Sequence, residues 1–187
     1  MRSLLRRGKP FRVLVLGGAR SGKSVAAERM LAGRDSVDYV ACGPAADDTD
    51  PSWAERLRQH QARRPGPWTT LETLDVAGVL DDDRPGVPVL IDCLSTWLAG
   101  VMDECGLWTG ASTADKELAA RSDELLDAWR STKRRVVAVS NEVGSGVVPG
   151  SASGVRYRDE LGSLNARVAA ECEQVWLCVA GIARRLK

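Results

Sequence analysis

The chain has very little of the residue types that build metal clusters and disulfide frameworks. It contains one histidine and five cysteines among 187 residues, and no two cysteines form a Cys-x-x-Cys pair. This spacing excludes the common zinc-binding patterns. An odd number of cysteines, with no secretory leader before them, is typical of reduced thiols, so we expect a cytoplasmic protein.

The chain also lacks a strong net charge and a long apolar run. Its net charge is +1, so no overall field favours a nucleic acid or a membrane as partner. We expect no membrane span, and the basic residues 1–10 are predicted to form a short solvated tail, because no apolar leader segment follows them. The length of 187 residues and the hydrophobic content of 44% predict a single domain over residues 1–187.

A glycine loop follows directly after the apolar run Val13–Leu16. Residues 17–24 match the pattern G-x-x-x-x-G-K-[ST], in the strand–loop–helix order that a phosphate-binding loop requires. Gly17 and Gly22 are expected to permit backbone angles that a Cβ would forbid, so that the loop turns its N–H groups inward. Lys23 would reach the β- and γ-phosphates, and Ser24 would hold Mg²⁺. The loop predicts that a nucleoside triphosphate is bound by Gly17, Gly18, Ala19, Arg20, Ser21, Gly22, Lys23 and Ser24.

Apolar strands and helical stretches alternate along the rest of the chain. This alternation predicts an α/β, three-layer P-loop NTPase fold with a mostly parallel central sheet, whose ligands bind at the carboxyl ends of the strands. A capping box at Ser112 and Asp115 is expected to open a helix that buries Leu118, Leu125, Leu126 and Trp129. Strands are expected at 12–16, 37–42, 68–71, 87–91, 136–139 and 175–179. The other helices are expected at 23–32, 52–63, 73–80, 94–102 and 155–172, with loops over 105–112 and 143–154.

Two strand ends carry candidate metal or substrate ligands. The apolar segment Val89–Ile91 ends in Asp92, which has the form of a Walker B carboxylate that binds Mg²⁺ beside a triphosphate. The alternative is that Asp92 caps the helix that follows it. Asn141 and Glu142, at the end of the next expected strand, are a second candidate pair.

His60 is the only histidine and lies in a basic, poorly amphipathic stretch of the sequence. A neutral imidazole is a good nucleophile near pH 7, and the neighbouring arginines could bind phosphate with their forked donors. The same composition is typical of a solvated surface helix. The chemistry of the residues alone favours the surface interpretation.

These segments together resemble the bifunctional adenosylcobinamide kinase / adenosylcobinamide-phosphate guanylyltransferase family of cobalamin biosynthesis. The resemblance covers residues 13–187. The glycine loop within it is generic, whereas the histidine stretch and the Asn-Glu-Val-Gly segment are far more particular. The segments that carry the resemblance are 17–24, Arg56…His60…Arg64-Pro65…Trp68-x-x-x-Glu72, 92–98, 141–149, Arg158-Asp159-x-x-Gly162-x-x-Asn165 and Val179-x-Gly181.

The resemblance implies two successive reactions. A nucleoside triphosphate, GTP or ATP, phosphorylates the aminopropanol hydroxyl of adenosylcobinamide, and GTP then transfers GMP to that phosphate, giving adenosylcobinamide-GDP and pyrophosphate. It also implies a GMP–histidine intermediate on His60 and a homo-oligomer, typically a trimer. Further GTP contacts are implied at Cys42, Gly43, Pro44, Gln61, Ala62, Arg63, Arg64, Glu72 and Asp92, with Mg²⁺ at Ser24 and Asp92.

The chain departs from the family pattern around the expected nucleophile. Gln59 and Gln61 stand where many relatives carry a second histidine and a lysine, so the groups that orient His60 differ here. The basic residues 1–10 have no family counterpart.

Three alternative functions remain open at the level of the sequence. A simple P-loop small-molecule kinase without nucleotidyl transfer would keep the loop and Asp92 and would give His60 no role. A GTP-binding regulatory NTPase is disfavoured because the chain has no Asn-Lys-x-Asp segment to recognise guanine. A non-catalytic nucleotide-binding subunit would bind nucleotide tightly without turnover.

Overall fold

The computed structural model describes residues 11–43, 55, 58 and 68–187. The strands are β1 (Arg12–Gly17), β2 (Asp38–Ala41), β3 (Thr69–Glu72), β4 (Val89–Asp92), β5 (Val136–Asn141), β6 (Gln174–Val179) and β7 (Ile182–Arg185). The helices are α1 (Lys23–Met30), α2 (Val76–Asp81), α3 (Leu94–Glu104), α4 (Ala114–Ser131) and α5 (Ala152–Ala170). A short 3₁₀ turn spans Leu107–Thr109, and Glu55 and Arg58 are also helical.

The strands form one sheet in the order β3-β2-β4-β5-β1-β6-β7. All neighbouring pairs in it are parallel except β6 and β7, which are antiparallel. The carboxyl ends of the six parallel strands therefore meet at one edge, below called the carboxyl edge. This arrangement confirms the expected α/β fold with a mostly parallel sheet.

The core lies on both faces of the sheet. Along β1, Leu14 packs into one buried cluster while Val13 and Val15 pack into another, because successive strand residues point to opposite faces. Ala27 of α1 belongs to the cluster of Val13 and Val15. The four other helices cover the opposite face and bury, among others, Leu80, Trp97, Leu98, Leu118, Leu125, Leu126, Trp129 and Leu161. The result is three layers, with the apolar stripe predicted for α4 confirmed.

Three local expectations were wrong. The capping box at Ser112 does not form, because Thr113 occupies the N-cap position of α4 in a helical conformation and makes no side-chain cap. Helix α5 begins three residues earlier than expected, since the Ser151 hydroxyl accepts a hydrogen bond from the Gly154 N–H at 3.1 Å. Strand β6 is not the last strand, as β7 follows it. The expected helix 52–63 lies largely outside the described residues.

The additional strand β7 depends on a tight turn that the sequence pattern did not suggest. Ala180 and Gly181 both adopt left-handed conformations, with φ of 50° and 80°. Two such residues in succession are typical of the two-residue turns that join antiparallel strands. Alanine seldom adopts a positive φ, so this turn was missed.

None of the described helices is long and apolar enough to cross a membrane. All five cysteines are free and buried. Burial raises the pKa of the Cys172 thiol to about 12 and raises that of Cys42 well above its usual range, so both thiols are neutral near pH 7.

Candidate active site at the carboxyl edge

The glycine loop leaves the end of β1 and turns directly into α1. Gly22 lies at the N-cap of α1 with a φ of 90°, and Arg20 also adopts the left-handed region, with a φ of 56°. A Cβ at Gly22 would be strained by this conformation and would lie 3.2 Å from the Cα of Gly181. The requirement predicted for glycine at position 22 is therefore confirmed.

Gly17 is required for space and not for its backbone angles. Its φ lies outside the left-handed region, which corrects the expectation drawn from the sequence. A Cβ built on Gly17 would lie 2.4 Å from the Ser21 Oγ and 2.6 Å from the backbone oxygen of Cys178 on β6. The loop thus folds so closely over the end of the sheet that only glycine fits there.

We expect Gly17→Ala to lower the free energy of unfolding by about 1–3 kcal/mol, because the added carbon meets a backbone atom that cannot rotate away. The matched control is Gly18→Ala, since a Cβ at Gly18 meets no atom within 4 Å. We expect this control to stay within about 0.5 kcal/mol of the wild type. Urea unfolding of the three proteins measures the difference, and equal midpoints for the two variants would contradict the steric role of Gly17.

The N-terminus of α1 is open toward the loop. No side chain caps this end of the described helix, and its first turn carries no acidic residue. Its first N–H groups therefore lack the side-chain partner that a cap would supply, and the helix dipole adds partial positive charge to them. Lys23 lies over the loop, where its Nζ donates to the Gly18 carbonyl oxygen at 3.0 Å. This arrangement is typical of an anion-binding site.

Ser24 and Asp92 face each other across the intervening strand β5. The Ser24 hydroxyl donates to Oδ1 of Asp92 at 3.4 Å, and the Tyr39 hydroxyl donates to Oδ2 of the same carboxylate at 2.6 Å. Tyr39 is buried in the cluster on the face of the sheet that α1 covers, so it holds the carboxylate from that face. The next helix, α3, has Cys93 as its N-cap, with hydrogen bonds between Cys93 and Thr96. The capping alternative for Asp92 is therefore not what the structure shows.

The remaining predicted contacts on described residues are spread along the carboxyl edge. Ala41 of β2 pairs with both Glu72 and Asp92, so Cys42 and Gly43 follow immediately beside these two carboxylates. The Cys42 side chain is buried, which leaves its backbone as the part able to contact a ligand. Glu72 is exposed on the edge strand β3, four strand spacings or roughly 19 Å from Gly17. A nucleotide that touches both must therefore lie along the edge.

Six of the predicted site residues lie outside the described residues. The expected nucleophile is among them, and so are the two arginines that follow it. They are Pro44, His60, Gln61, Ala62, Arg63 and Arg64.

Glu142 supports the loop after β5. Its Oε1 accepts hydrogen bonds from the N–H groups of Gly144 and Ser145 at 2.7 and 3.1 Å. Its own N–H donates to the Gly17 carbonyl oxygen at 3.1 Å. In the part of the chain that the structure describes, no group of three or more histidine, cysteine or acidic side chains could hold a metal ion.

Two structural supports of the site, the Tyr39 side chain and the turn between β6 and β7, were not predicted from the sequence. Tyr39 carries no motif, since its contact with Asp92 depends on strand order alone. The turn between β6 and β7 packs beneath the loop, where the Gly181 N–H donates to the Ser21 carbonyl oxygen at 2.9 Å. The signal in the sequence for this turn is the segment Val179-x-Gly181, which also carries part of the family resemblance.

Comparison with known proteins extends over nearly the whole chain. The family model described as cobinamide kinase / cobinamide phosphate guanyltransferase matches residues 13–186. The bifunctional adenosylcobalamin biosynthesis protein CobP of Pseudomonas aeruginosa is 38% identical over 180 residues, which is 95% of this chain and 98% of that protein. The CobU protein of Salmonella typhimurium, with the same bifunctional description, is 34% identical over 94% of this chain and 99% of its own length.

Similarity to solved structures is weaker. The P4 protein of bacteriophage phi6, in complex with ADP, is 20% identical, with a TM-score of 0.43 over 92% of this chain and 52% of that one. A similarity of this size carries no argument about function. The family model over residues 13–186 and the two relatives, matched over nearly their full length, show the family. This chain belongs to the cobinamide kinase / cobinamide phosphate guanyltransferase family.

Proposed function

We propose that this enzyme phosphorylates adenosylcobinamide and then transfers GMP from GTP to the product, with the loop of residues 17–24 as the phosphate site and His60 as the nucleophile of the second reaction. Membership of the family and the bifunctional names of its relatives support the two reactions. The observation that carries the assignment of the site is the Ser24–Asp92 contact at 3.4 Å beside the Lys23 loop.

In the first reaction, the hydroxyl oxygen of the acceptor attacks the γ-phosphorus of ATP or GTP. A new phosphorus–oxygen bond forms, the bond to the β-phosphate oxygen breaks, a nucleoside diphosphate leaves, and the hydroxyl proton passes to solvent. Negative charge on the transferred group is offset by the loop N–H groups, the N-terminus of α1 and Lys23. Positioning and charge neutralisation supply most of the catalysis in such a transfer.

Ser24 and Asp92 fit a bound Mg²⁺. Their facing atoms are hydroxyl and carboxylate oxygens, which this ion prefers, and it takes one or two protein ligands besides phosphates and water. Tyr39 occupies the other carboxylate oxygen, so Oδ1 is directed toward Ser24. When bound, the ion would neutralise charge on the triphosphate.

In the second reaction, an imidazole nitrogen of His60 attacks the α-phosphorus of GTP. Pyrophosphate leaves, and GMP remains on the histidine through a phosphorus–nitrogen bond. A phosphate oxygen of adenosylcobinamide phosphate then attacks the same phosphorus, and the histidine is regenerated. We assign the remaining contacts with GTP to Cys42, Gly43, Pro44, Gln61, Ala62, Arg63, Arg64 and Glu72.

Retention of label from GTP on the denatured chain tests this proposal. The protein is incubated with Mg²⁺ and GTP labelled at the α-phosphate, denatured and separated from free nucleotide. We expect acid-labile label at up to one equivalent per chain, removed when adenosylcobinamide phosphate is added before denaturation. GTP labelled at the γ-phosphate is the control and should leave no label. Bound GTP without retained α-label would instead indicate a simple kinase.

The state of assembly and the location are also proposals. The family resemblance supports a homo-oligomer, typically a trimer, and the five free cysteines support a cytoplasmic location. Light scattering of the purified protein measures its mass against the 20.1 kDa of one chain.

A further inference from the structure

An open surface cavity of about 500 Å³ lies between the 3₁₀ turn and the first turns of α5. We call it the Trp108 cavity; it is lined by Trp108, Ser151, Ser153, Gly154 and Tyr157. Trp108 is 41% exposed, although burial of its large apolar ring would be favourable. An exposed tryptophan beside a cavity is a common feature of ligand sites.

The cavity is connected to the phosphate loop through the segment after β5. This segment starts at Glu142, whose N–H is bonded to Gly17, and is held by the Glu142 carboxylate. It ends at Pro149, which packs on the first turn of α5: a Cβ built on Gly154 would lie 2.7 Å from the Pro149 Cβ. Gly154 itself lines the cavity.

The opposite wall of the cavity is connected to Asp92. The Tyr157 hydroxyl donates to the backbone oxygen of Ser95 at 3.0 Å, and Ser95 lies in the first turn of α3, directly after β4. Burial raises the pKa of Tyr157 to about 12, so its hydroxyl stays protonated and keeps this bond at neutral pH. The Trp108 cavity is thus joined both to the loop that would hold the phosphates and to the strand that carries Asp92.

The lining suits a large acceptor better than a phosphate group. It combines two aromatic rings with two serine hydroxyls, and among the described residues it contains no lysine or arginine. The neighbouring segment adds two exposed apolar side chains, Val147 at 96% and Val148 at 60% exposure. A corrin ring has broad apolar faces and amide groups at its rim, which are the chemical partners of such a surface.

We propose that the Trp108 cavity binds the corrin ring of the acceptor, with the indole of Trp108 in contact with the ring. This inference rests on the proposed function, since it takes the acceptor to be adenosylcobinamide. The Tyr157–Ser95 hydrogen bond and the segment from Glu142 to Pro149 place the ring beside the carboxyl edge. Its hydroxyl-bearing arm can then extend toward the phosphate loop.

Kinetics with separate readouts for acceptor and nucleotide test the proposal. We expect Trp108→Ala to raise the KM for adenosylcobinamide about tenfold or more, while the KM for GTP and the retention of α-label, which needs no acceptor, stay within about twofold. Trp108→Phe should recover most of the loss. Ser153→Trp, which fills the cavity from the exposed start of α5, should raise the same KM without removing Trp108.

Binding measured in the dark separates this proposal from the proposed function. Adenosylcobinamide should quench the tryptophan fluorescence of the wild type, and Trp108→Phe should lose a large part of that change while the control Trp176→Phe keeps it. Quenching that depends on Trp108 supports the cavity even if the wild type shows no transfer, in which case the proposed function fails alone. An unchanged acceptor KM in Trp108→Ala and Ser153→Trp, together with unchanged quenching in Trp108→Phe, would overturn the proposal. A raised KM for GTP alone would instead assign the cavity to the nucleotide base.

Discussion

His60→Ala is expected to lower transfer of GMP by about 10⁴-fold or more while phosphorylation of adenosylcobinamide changes by less than about threefold. The physical reason is that the two reactions use different nucleophiles. Under the proposed function the imidazole forms the covalent intermediate of the second reaction, and removing such a nucleophile costs several orders of magnitude in rate. In the first reaction the acceptor's own hydroxyl attacks, so the histidine side chain is not needed.

Two measurements on the same protein check this result. Formation of adenosylcobinamide phosphate from ATP reports the first reaction, and retention of α-label from GTP reports the intermediate. Arg58→Ala is a suitable control, because Arg58 lies close in sequence and its side chain is 71% exposed in a surface ion pair with Glu55. Such exposed ion pairs contribute little to the free energy of unfolding. Unchanged GMP transfer in His60→Ala would remove the intermediate and favour transfer directly between the two substrates.

Lys23→Ala is expected to lower both reactions by at least about 100-fold. Lys23 begins α1, and its ammonium lies over the loop, 3.0 Å from the Gly18 carbonyl oxygen. Under the proposed function both reactions start with a triphosphate in this loop, so both lose the same positive charge. Removing one preorganised donor from a developing charge commonly costs 10²–10³-fold in rate, and a full positive charge is at the upper end.

The control for this variant is Lys116→Ala, which removes an exposed lysine from α4. Both rates should stay within about twofold of the wild type in the control. Thermal unfolding should show equal midpoints for the two variants, since the Lys23 ammonium makes one solvent-exposed hydrogen bond. Phosphorylation that survives Lys23→Ala would show that residues 17–24 are not the phosphate site.

Comparison of the two variants separates the reactions. The lysine variant should lose both activities and the α-label, whereas the histidine variant should lose only the guanylyl half. If each variant lost both activities equally, a shared structural effect would explain the result better than two chemical roles. If neither lost activity, the carboxyl edge would not be the active site.

Much of the fold followed from local patterns in the sequence. The apolar segments that became β1, β4, β5 and β6 were predicted within two residues at every boundary, because a strand buried in a parallel sheet is visible as a continuous apolar run of neighbouring residues. The first residues of α4 and α5 were harder to predict. Several residues able to cap a helix lie close together there. The hydrogen bond of the Ser151 hydroxyl decides the start of α5, whereas α4 begins after Thr113 without a side-chain cap.

The candidate site was predictable in part for the same reason. The glycine loop has fixed spacing, so its phosphate-binding geometry can be expected from eight consecutive residues. Gly17 shows the limit of that reasoning: its constraint comes from the Cys178 backbone on β6, more than 150 positions away along the chain. No local pattern carries such a contact.

The sequence by itself determined the strand–loop–helix unit, the alternation that makes a parallel sheet, and the location of Asp92 at the end of a strand. Each of these depends on residues close together in the chain. The tertiary structure decided that β5 separates β1 from β4 while Ser24 still reaches Asp92, that Tyr39 holds the other carboxylate oxygen, and that the turn at Gly181 packs beneath the loop. These contacts depend on the order of strands in the sheet, which is set by packing of the whole core and is not encoded in the spacing of any one segment.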